Sequence, residues 1–283
     1  MSTTFTYKQV NNLEIKAELF PTDLKAAPLI LYIHGGGLIW GTRKDINQEQ
    51  VKLFNSNGYH VLSIAYRLAP ETKLPEIIED IRDSLTWAKE ELPQHIDYDQ
   101  NKVIVMGNSA GGYLSLMTGT FENKPNAIVS FYGYGNILGD WYSTPSTHFN
   151  AMPKVNEALA KQLIQRTEIA EAPITQRYAI YLYCRQQGVW PEYVTIPGST
   201  DLTQFCPVTL VDESHPPTLL LHGDADEDVP YEESVQMQEA LSKHAVKSKL
   251  ITIPNGKHQF DENMQDATVK DAFDEVLQFL KEV

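Results

Sequence analysis

Four short apolar runs do most to limit what this chain can fold into: PLILYI (28–33), HVLSIAY (60–66), KVIVMG (102–107) and NAIVSFYG (126–133). Their apolar residues run on without strict alternation, so neither face is built for water; such runs belong to parallel strands covered on both sides. Helical patterns lie among them. In PEIIEDIRDSLTWAKEELPQHI (75–96), Ile77, Ile78, Ile81, Leu85, Ala88 and Leu92 keep helical spacing, and Pro75 suits a first turn. PPTLLLHG (216–223) and SKLITIP (248–254) read as two further strands separated by the helical YEESVQMQEALSKH (231–244). DATVKDAFDEVLQFLKEV (266–283) closes the chain as a helix. FTYKQV (5–10) and LEIKAELF (13–20) do alternate, as an edge hairpin with one solvated face would. The pattern predicts one α/β domain over 1–283, with a mostly parallel central sheet and helices on both faces.

One segment breaks the rhythm. From Gly135 to His215 no clear strand pattern appears, and two helical stretches, 154–171 and 173–187, sit among many aromatics. An insertion of that size between two core strands predicts a helical cap, 135–215, over one edge of the sheet. Of Trp141, Tyr142, Tyr178, Tyr181, Tyr183, Trp190 and Tyr193, most are expected to form the cap's own core and a minority to face a pocket.

Composition narrows the partners. A net charge of -14 with scattered acidic residues argues against non-specific binding to nucleic acid or anionic membrane, which both need basic patches. No apolar run approaches the roughly 18 residues of a membrane span, and MSTTFTYKQVNN lacks the basic and apolar regions of a signal peptide. Cys184 and Cys206 have no CxxC or His/Cys metal spacing and are expected as plain thiols in a reducing compartment. The expected location is therefore cytoplasmic, with no metal and no cofactor.

In a parallel sheet the loops that follow the strands gather on one edge, where ligands bind. After the 28–33 strand comes HGGGLIWG, whose glycines let backbone N–H groups approach a ligand closely. It reads either as an oxyanion hole with donors at Gly36 and Gly37 or as a glycine-rich turn. A nucleotide loop fits neither GxGxxG nor GxxxxGK[ST]. After the 102–107 strand comes GNSAGG, a G-x-S-x-G turn between strand and helix, the context in which that motif presents a nucleophilic serine. Ser109 would sit at a helix N-terminus, where the dipole favours developing negative charge, and the N–H of Ala110 could be a third oxyanion donor. HGDADEDVP and NGKHQF follow the next two strands, giving the chain order Ser, Asp, His. His258 is the expected base. His222, its chief rival, ends its own strand and reads as structural. Asp224, Asp226 and Asp228 all compete for the acid.

Taken together, HGGG (34–37), YRLAPE (66–71), GNSAGG (107–112), HGDADEDVP (222–230) and GKHQF (256–260) resemble the α/β-hydrolase superfamily, and within it the esterases similar to hormone-sensitive lipase. The resemblance implies an α/β-hydrolase fold with Ser109 as nucleophile, His258 as base, and oxyanion donors at Gly36, Gly37 and Ala110. In similar enzymes HG-x-x-D-x-x-VP carries the acid at its fifth position, which selects Asp226. Arg67 and Glu71 of YRLAPE look like loop anchors. The chain departs from the pattern in three respects. Asn108 stands where the family often has Asp. The residues before the 28–33 strand are too few for the N-terminal cap helices common in the family. The acid motif is also closer to those of dienelactone hydrolases and prolyl-oligopeptidase-type peptidases.

The resulting expectation is a metal-independent serine carboxylesterase that acts on a small-molecule ester through an acyl-enzyme on Ser109. Similar enzymes are commonly dimers, so a homodimer is possible. The alternatives are an amide-cleaving enzyme (a small-peptide hydrolase or an arylformamidase) and a non-catalytic ligand-binding member of the fold.

Overall fold

The alternation of side chains along the apolar strands divides the core in two. In the computed structural model, which describes residues 2–199 and 201–283, Leu29, Leu31 and Ile33 of β3 (Ala27–Ile33) face one layer, and Ile30 and Tyr32 face the other. Val103 and Val105 of β5 (Tyr98–Asn108) are separated from Ile104 and Met106 in the same way. Both sets are buried, which is why these strands read as unbroken apolar runs.

Among the described residues, eight strands form one sheet in the order β1-β2-β4-β3-β5-β6-β7-β8. The remaining strands are β1 (Thr3–Val10), β2 (Leu13–Phe20), β4 (His60–Ile64), β6 (Ala127–Phe131), β7 (Thr218–Gly223) and β8 (Ser248–Ile253). β2 pairs antiparallel with β1 and β4, and every other pairing is parallel. The expected strands all form, within a residue or two at each end except for β5, which begins at Tyr98, four residues before the expected 102–107 run.

Helices α1 (Gln48–Ser56), α2 (Leu74–Glu90) and α3 (Ala110–Thr118) follow β3, β4 and β5. α2 buries Ile77, Ile81, Leu85 and Ala88 against one face of the sheet. α1 was not anticipated, because only Gln50, Val51 and Phe54 of its polar sequence are buried and its apolar stripe is too thin to read. The segment expected to be helical through residue 96 leaves the α-helix at Glu90. A 3-10 turn at Leu92–Gln94 takes over, because Pro93 has no N–H to continue the ladder.

Between β6 and β7 lie α4 (Asp140–Ser143), α5 (Thr147–Asn150), α6 (Glu157–Gln162), α7 (Ile174–Gln187), α8 (Trp190–Val194) and α9 (Pro207–Leu210). The helical stretch expected over 154–171 is corrected to α6 alone. It begins where the Asn156 side chain caps the N–H of Leu159, and it ends at Leu163. The stretch at 173–187 is α7, which stops at Gly188 in the left-handed conformation (φ 73°). Tyr142 stacks on Trp190 with ring centroids 3.7 Å apart, while Trp141 stacks on Tyr142 and Tyr134 meets the group edge-on. These rings are the insertion's own core. The last helices are α10 (Tyr231–Lys243) and α11 (Ala267–Lys281), the latter burying Val269, Phe273, Val276 and Leu280 on the second face of the sheet.

β3, β5, β6, β7 and β8 run parallel in that order, so the four loops expected to carry chemistry, after β3, β5, β7 and β8, leave the same edge of the sheet. Among the described residues no helix is long and apolar enough to cross a membrane. Cys184 and Cys206 are free and buried.

Candidate active site

Ser109 occupies the single residue between β5 and α3, with φ 53° and ψ -120°, a left-handed backbone that costs a non-glycine residue about 1–3 kcal/mol. Its N–H donates to the Phe131 carbonyl at 2.9 Å, and its own carbonyl accepts from Tyr113 N–H at 3.0 Å, so the turn is held from both sides. The flanking glycines have a steric reason. A Cβ on Gly111 would lie 2.0 Å from the Ile33 carbonyl oxygen, and one on Gly107 would lie 2.4 Å from that of Gly111. Only bare backbone lets α3 start this close to the sheet.

His258 reaches the serine from the loop after β8. Its Nε2 is 3.1 Å from Ser109 Oγ, and its Nδ1 is 2.7 Å from Asp226 Oδ2. Nδ1 therefore carries the proton, leaving Nε2 free to accept from the serine hydroxyl. The three competing aspartates separate cleanly. Asp224 is exposed and accepts from Asn255 N–H at 2.6 Å, away from His258. Asp228 comes to 3.7 Å from Nε2 by Oδ2, while its Oδ1 accepts from the Tyr181 hydroxyl (2.6 Å) and from Arg185. Asp226 alone of the three meets Nδ1, and its Oδ1 accepts from the N–H groups of Asp228 (2.8 Å) and Val229 (3.0 Å). His222 is buried at the end of β7 and contacts Asp226, not Ser109.

The local electrostatics suit proton transfer. Burial would raise the Asp226 pKa, but hydrogen bonds from His222 and His258 hold its carboxyl well below the usual carboxylate range. Burial works the other way on His258, opposing the charged ring. The carboxylates of Asp228 and Asp226 outweigh that and lift its pKa above the ordinary histidine value. Asn108, beside the serine, donates to the Tyr132 hydroxyl (3.2 Å), which donates to buried Asp261 (2.6 Å). Gln50 of α1 donates to the other oxygen of Asp261 at 2.9 Å. A buried carboxyl whose pKa is raised by burial thus stands two hydrogen bonds behind the position where the resembling family often has Asp.

The glycine loop uses backbone that other residues rarely adopt: Gly36 has φ +102° and Gly37 φ +59°. A Cβ on Gly36 would strike the Trp40 carbonyl at 1.9 Å, and one on Gly37 would strike the Tyr181 ring at 2.4 Å. The carbonyls of the loop are tied back. Gly36 O accepts from Ile39 N–H (2.9 Å), Gly37 O from Trp190 Nε1 (2.9 Å), and Ile39 O from Arg177 Nε (2.6 Å). Among the described residues the N–H groups of Gly36 and Gly37 have no protein acceptor. Ala110 opens α3, so its N–H lies among the unpaired donors of a helix start. Arg67 and Glu71 act as anchors: Arg67 binds buried Asp80, and Glu71 takes a bidentate pair from Arg177 of α7 at 2.6 and 2.8 Å.

These loops form the floor of a cavity of about 680 Å³. Phe149, Met152, Ile174, Tyr178 and Tyr181 of the insertion and Trp40 of the glycine loop form its apolar walls. Tyr178 and Tyr181 are thus the minority of cap aromatics expected to face a pocket. Phe149 and the Tyr181–Arg185–Asp228 cluster escaped the sequence reading. Their signal was the spacing of Arg177, Tyr181 and Arg185, four residues apart on one helical stripe. Among the described residues no group of His, Cys, Asp and Glu is set to hold a metal ion.

Comparison with known proteins follows the same lines. The BD-FAE family model matches residues 19–241, and the dienelactone hydrolase family model matches 201–283. An α/β-hydrolase superfamily protein from Enterococcus faecalis is 28% identical, covers 100% of this chain and 99% of its own, and superposes with a TM-score of 0.79. A protein of unknown function from Staphylococcus aureus superposes at 0.83 with 24% identity over 100% and 99% of the two chains. The fold is shared with the thermophilic esterase Est2 of Thermogutta terrifontis, at 20% identity and TM-score 0.70 over 99% and 92%. The non-reducing polyketide synthase Preu3 of Preussia isomera is 28% identical over 318 residues, covering 92% of this chain and 12% of the synthase. The chain thus spans a small part of the length of such relatives.

Proposed function

The chain belongs to the BD-FAE family, an α/β-hydrolase of the esterase type, and from that premise we propose that it is a serine carboxylesterase for small esters. The observation that carries this reading is the hydrogen-bonded line Ser109–His258–Asp226, at 3.1 and 2.7 Å, opening into a cavity with apolar walls.

Ser109 Oγ attacks the ester carbonyl carbon while its proton passes to His258 Nε2. The π electrons of the carbonyl move onto oxygen, which receives the N–H groups of Gly36, Gly37 and Ala110. Preorganised donors of this kind are worth about 10²–10³ in turnover each. When the oxyanion collapses, the C–O bond to the alcohol breaks and the alkoxide leaves with the proton from Nε2. Water then repeats the sequence: Nε2 takes its proton, the hydroxide adds to the acyl carbon, and Ser109 departs reprotonated as the acid is released. Asp226 stays ionised throughout, keeping His258 in the Nδ1–H tautomer and stabilising the imidazolium. The apolar walls suit a short acyl group or a small aryl alcohol.

The test is hydrolysis of p-nitrophenyl acetate and butyrate by the wild type and Ser109→Ala, together with labelling by a fluorophosphonate probe. Turnover is expected to fall by several orders of magnitude, on the order of 10⁶ where a nucleophile is lost from such a triad, and the label to appear on Ser109 alone. Equal rates in the two proteins would refute the reading.

A further inference from the structure

His222, the histidine that opens HGDADEDVP, is fully buried at the end of β7, yet its Nε2 faces the acid loop. Its Nε2 lies 3.0 Å from the Val229 carbonyl and 3.3 Å from Asp226 Oδ2. Both partners only accept, so Nε2 carries the proton. Its Nδ1 lies 2.7 Å from the Ser234 hydroxyl of α10, which must then donate. Only one neutral tautomer satisfies every contact. Asp226 Oδ2 therefore faces the N–H groups of two imidazoles, His258 at 2.7 Å on the cavity side and His222 at 3.3 Å on the core side, while Oδ1 receives two backbone N–H groups.

We propose that His222 is a positioning residue for Asp226: one N–H, shared between Val229 O and Asp226 Oδ2, fixes both the return of the acid loop and the rotation of the carboxylate against His258. The inference rests on the reading of Ser109, His258 and Asp226 given above. A histidine that merely filled the core would need no bond to the same oxygen that holds His258. The bond also withdraws charge from Oδ2, which keeps Asp226 ionised and limits how tightly it retains the proton of His258. Ser234 acts one step further back by fixing the tautomer.

Around this pair the titratable and charged groups are Asp226, Asp228, Asp261, Glu262, Tyr132 and Arg185 on the His258 side, with Tyr231 and Glu233 on the His222 side. The experiment changes none of them. His222→Leu removes both bonds at similar volume, His222→Gln keeps an N–H donor, and Ser234→Ala frees the tautomer. Each variant is titrated with the fluorophosphonate probe, and kcat for p-nitrophenyl acetate is expressed per labelled site, so loss of folded protein drops out. The expected result is a fall of about 10- to 100-fold in kcat for His222→Leu, by analogy with the loss of groups that orient a metal's ligands. KM should change little. The acid limb of kcat/KM should move to higher pH, because an Asp226 stripped of this donor holds the His258 proton more firmly. His222→Gln should recover part of the loss. Ser234→Ala should show a smaller fall in the same direction, and it decides the matter if His222→Leu does not fold. Wild-type kcat per site and an unmoved acid limb in Ser234→Ala and in any folded His222→Leu would overturn the proposal. A wild type that neither labels nor turns over would instead overturn the underlying reading of Ser109.

Discussion

At the scale of single residues, two carboxylates share His258 without duplicating each other. Asp226 holds Nδ1, and Asp228 faces Nε2 from 3.7 Å while Arg185 and Tyr181 pin its other oxygen. Burial opposes the imidazolium, but Asp228 and Asp226 favour it more, so the ring keeps its proton to a higher pH than an ordinary histidine. In the proposed mechanism His258 acts as base only when deprotonated. Activity should therefore fall as pH drops through a midpoint above about 6.5. Asp228→Asn removes one favouring charge and should move the acid limb of kcat/KM to lower pH; a limb already below 6.5 and unmoved in the variant would contradict this account. Which aspartate meets His258 Nδ1 was not legible from residue spacing alone, because a turn that carries Asp224, Asp226 and Asp228 can aim any of them at that ring. The family resemblance selected Asp226, and the backbone N–H groups of Asp228 and Val229 supply the physical reason for its orientation. For the proposed nucleophile and base, Ser109 and His258, chain order and the strands before them left less choice.

Among the elements, α7 does most to connect the insertion to the site. Arg177, Tyr181 and Arg185 form one stripe along it. Arg177 binds Glu71 and the Ile39 carbonyl, Tyr181 fills the space above Gly37, and Arg185 binds Asp228 inside a ring of Trp141, Tyr142, Phe149 and Tyr181. In sequence, arginines on a helix suggest a solvated face, so a stripe turned inward could not be read without the partners that neutralise it. α1 was hidden for the opposite reason: its buried face is partly polar, with Gln50 spent on Asp261. The Glu71–Arg177 pair is almost fully buried on both sides. Glu71→Gln leaves a guanidinium short of its counter-charge and should destabilise the fold by about 3–5 kcal/mol. Thermal unfolding should show a clear drop in Tm, and KM should rise because the glycine loop loses its brace. An unchanged Tm would mean that this pair does not hold the insertion in place.

For the molecule as a whole, the fold was legible because a sheet covered on both faces demands uninterrupted apolar strands, and that demand leaves a mark in sequence. The insertion left a weaker mark, since its short helices close on one another through aromatic stacking rather than through a periodic stripe. Charge adds a property of the entire surface. The protein carries -14, and Asp45, Glu227, Asp228, Asp261 and Glu262 all border the cavity, with Lys257 as the lysine among its lining residues. An ester bearing a free carboxylate should therefore react more slowly than a neutral ester of equal size, and added salt should narrow the gap by screening. Measuring kcat/KM for a matched neutral and anionic pair across ionic strength checks this; a gap that does not respond to salt would assign the difference to shape instead.

Tyr181 bears on how this enzyme could acquire new substrates. Its ring is both a wall of the cavity and the surface that Gly37 is moulded against, with Trp190 clasping the same glycine's carbonyl. Exchanging Tyr181 for a smaller residue would widen the chamber and unsettle the donor loop in one step, so selection for bulkier esters would meet a loss of rate there. Phe149 and Met152 line the chamber without touching that glycine in the same way. They are where a laboratory library, or a gene duplicate drifting toward a different ester, has room to explore.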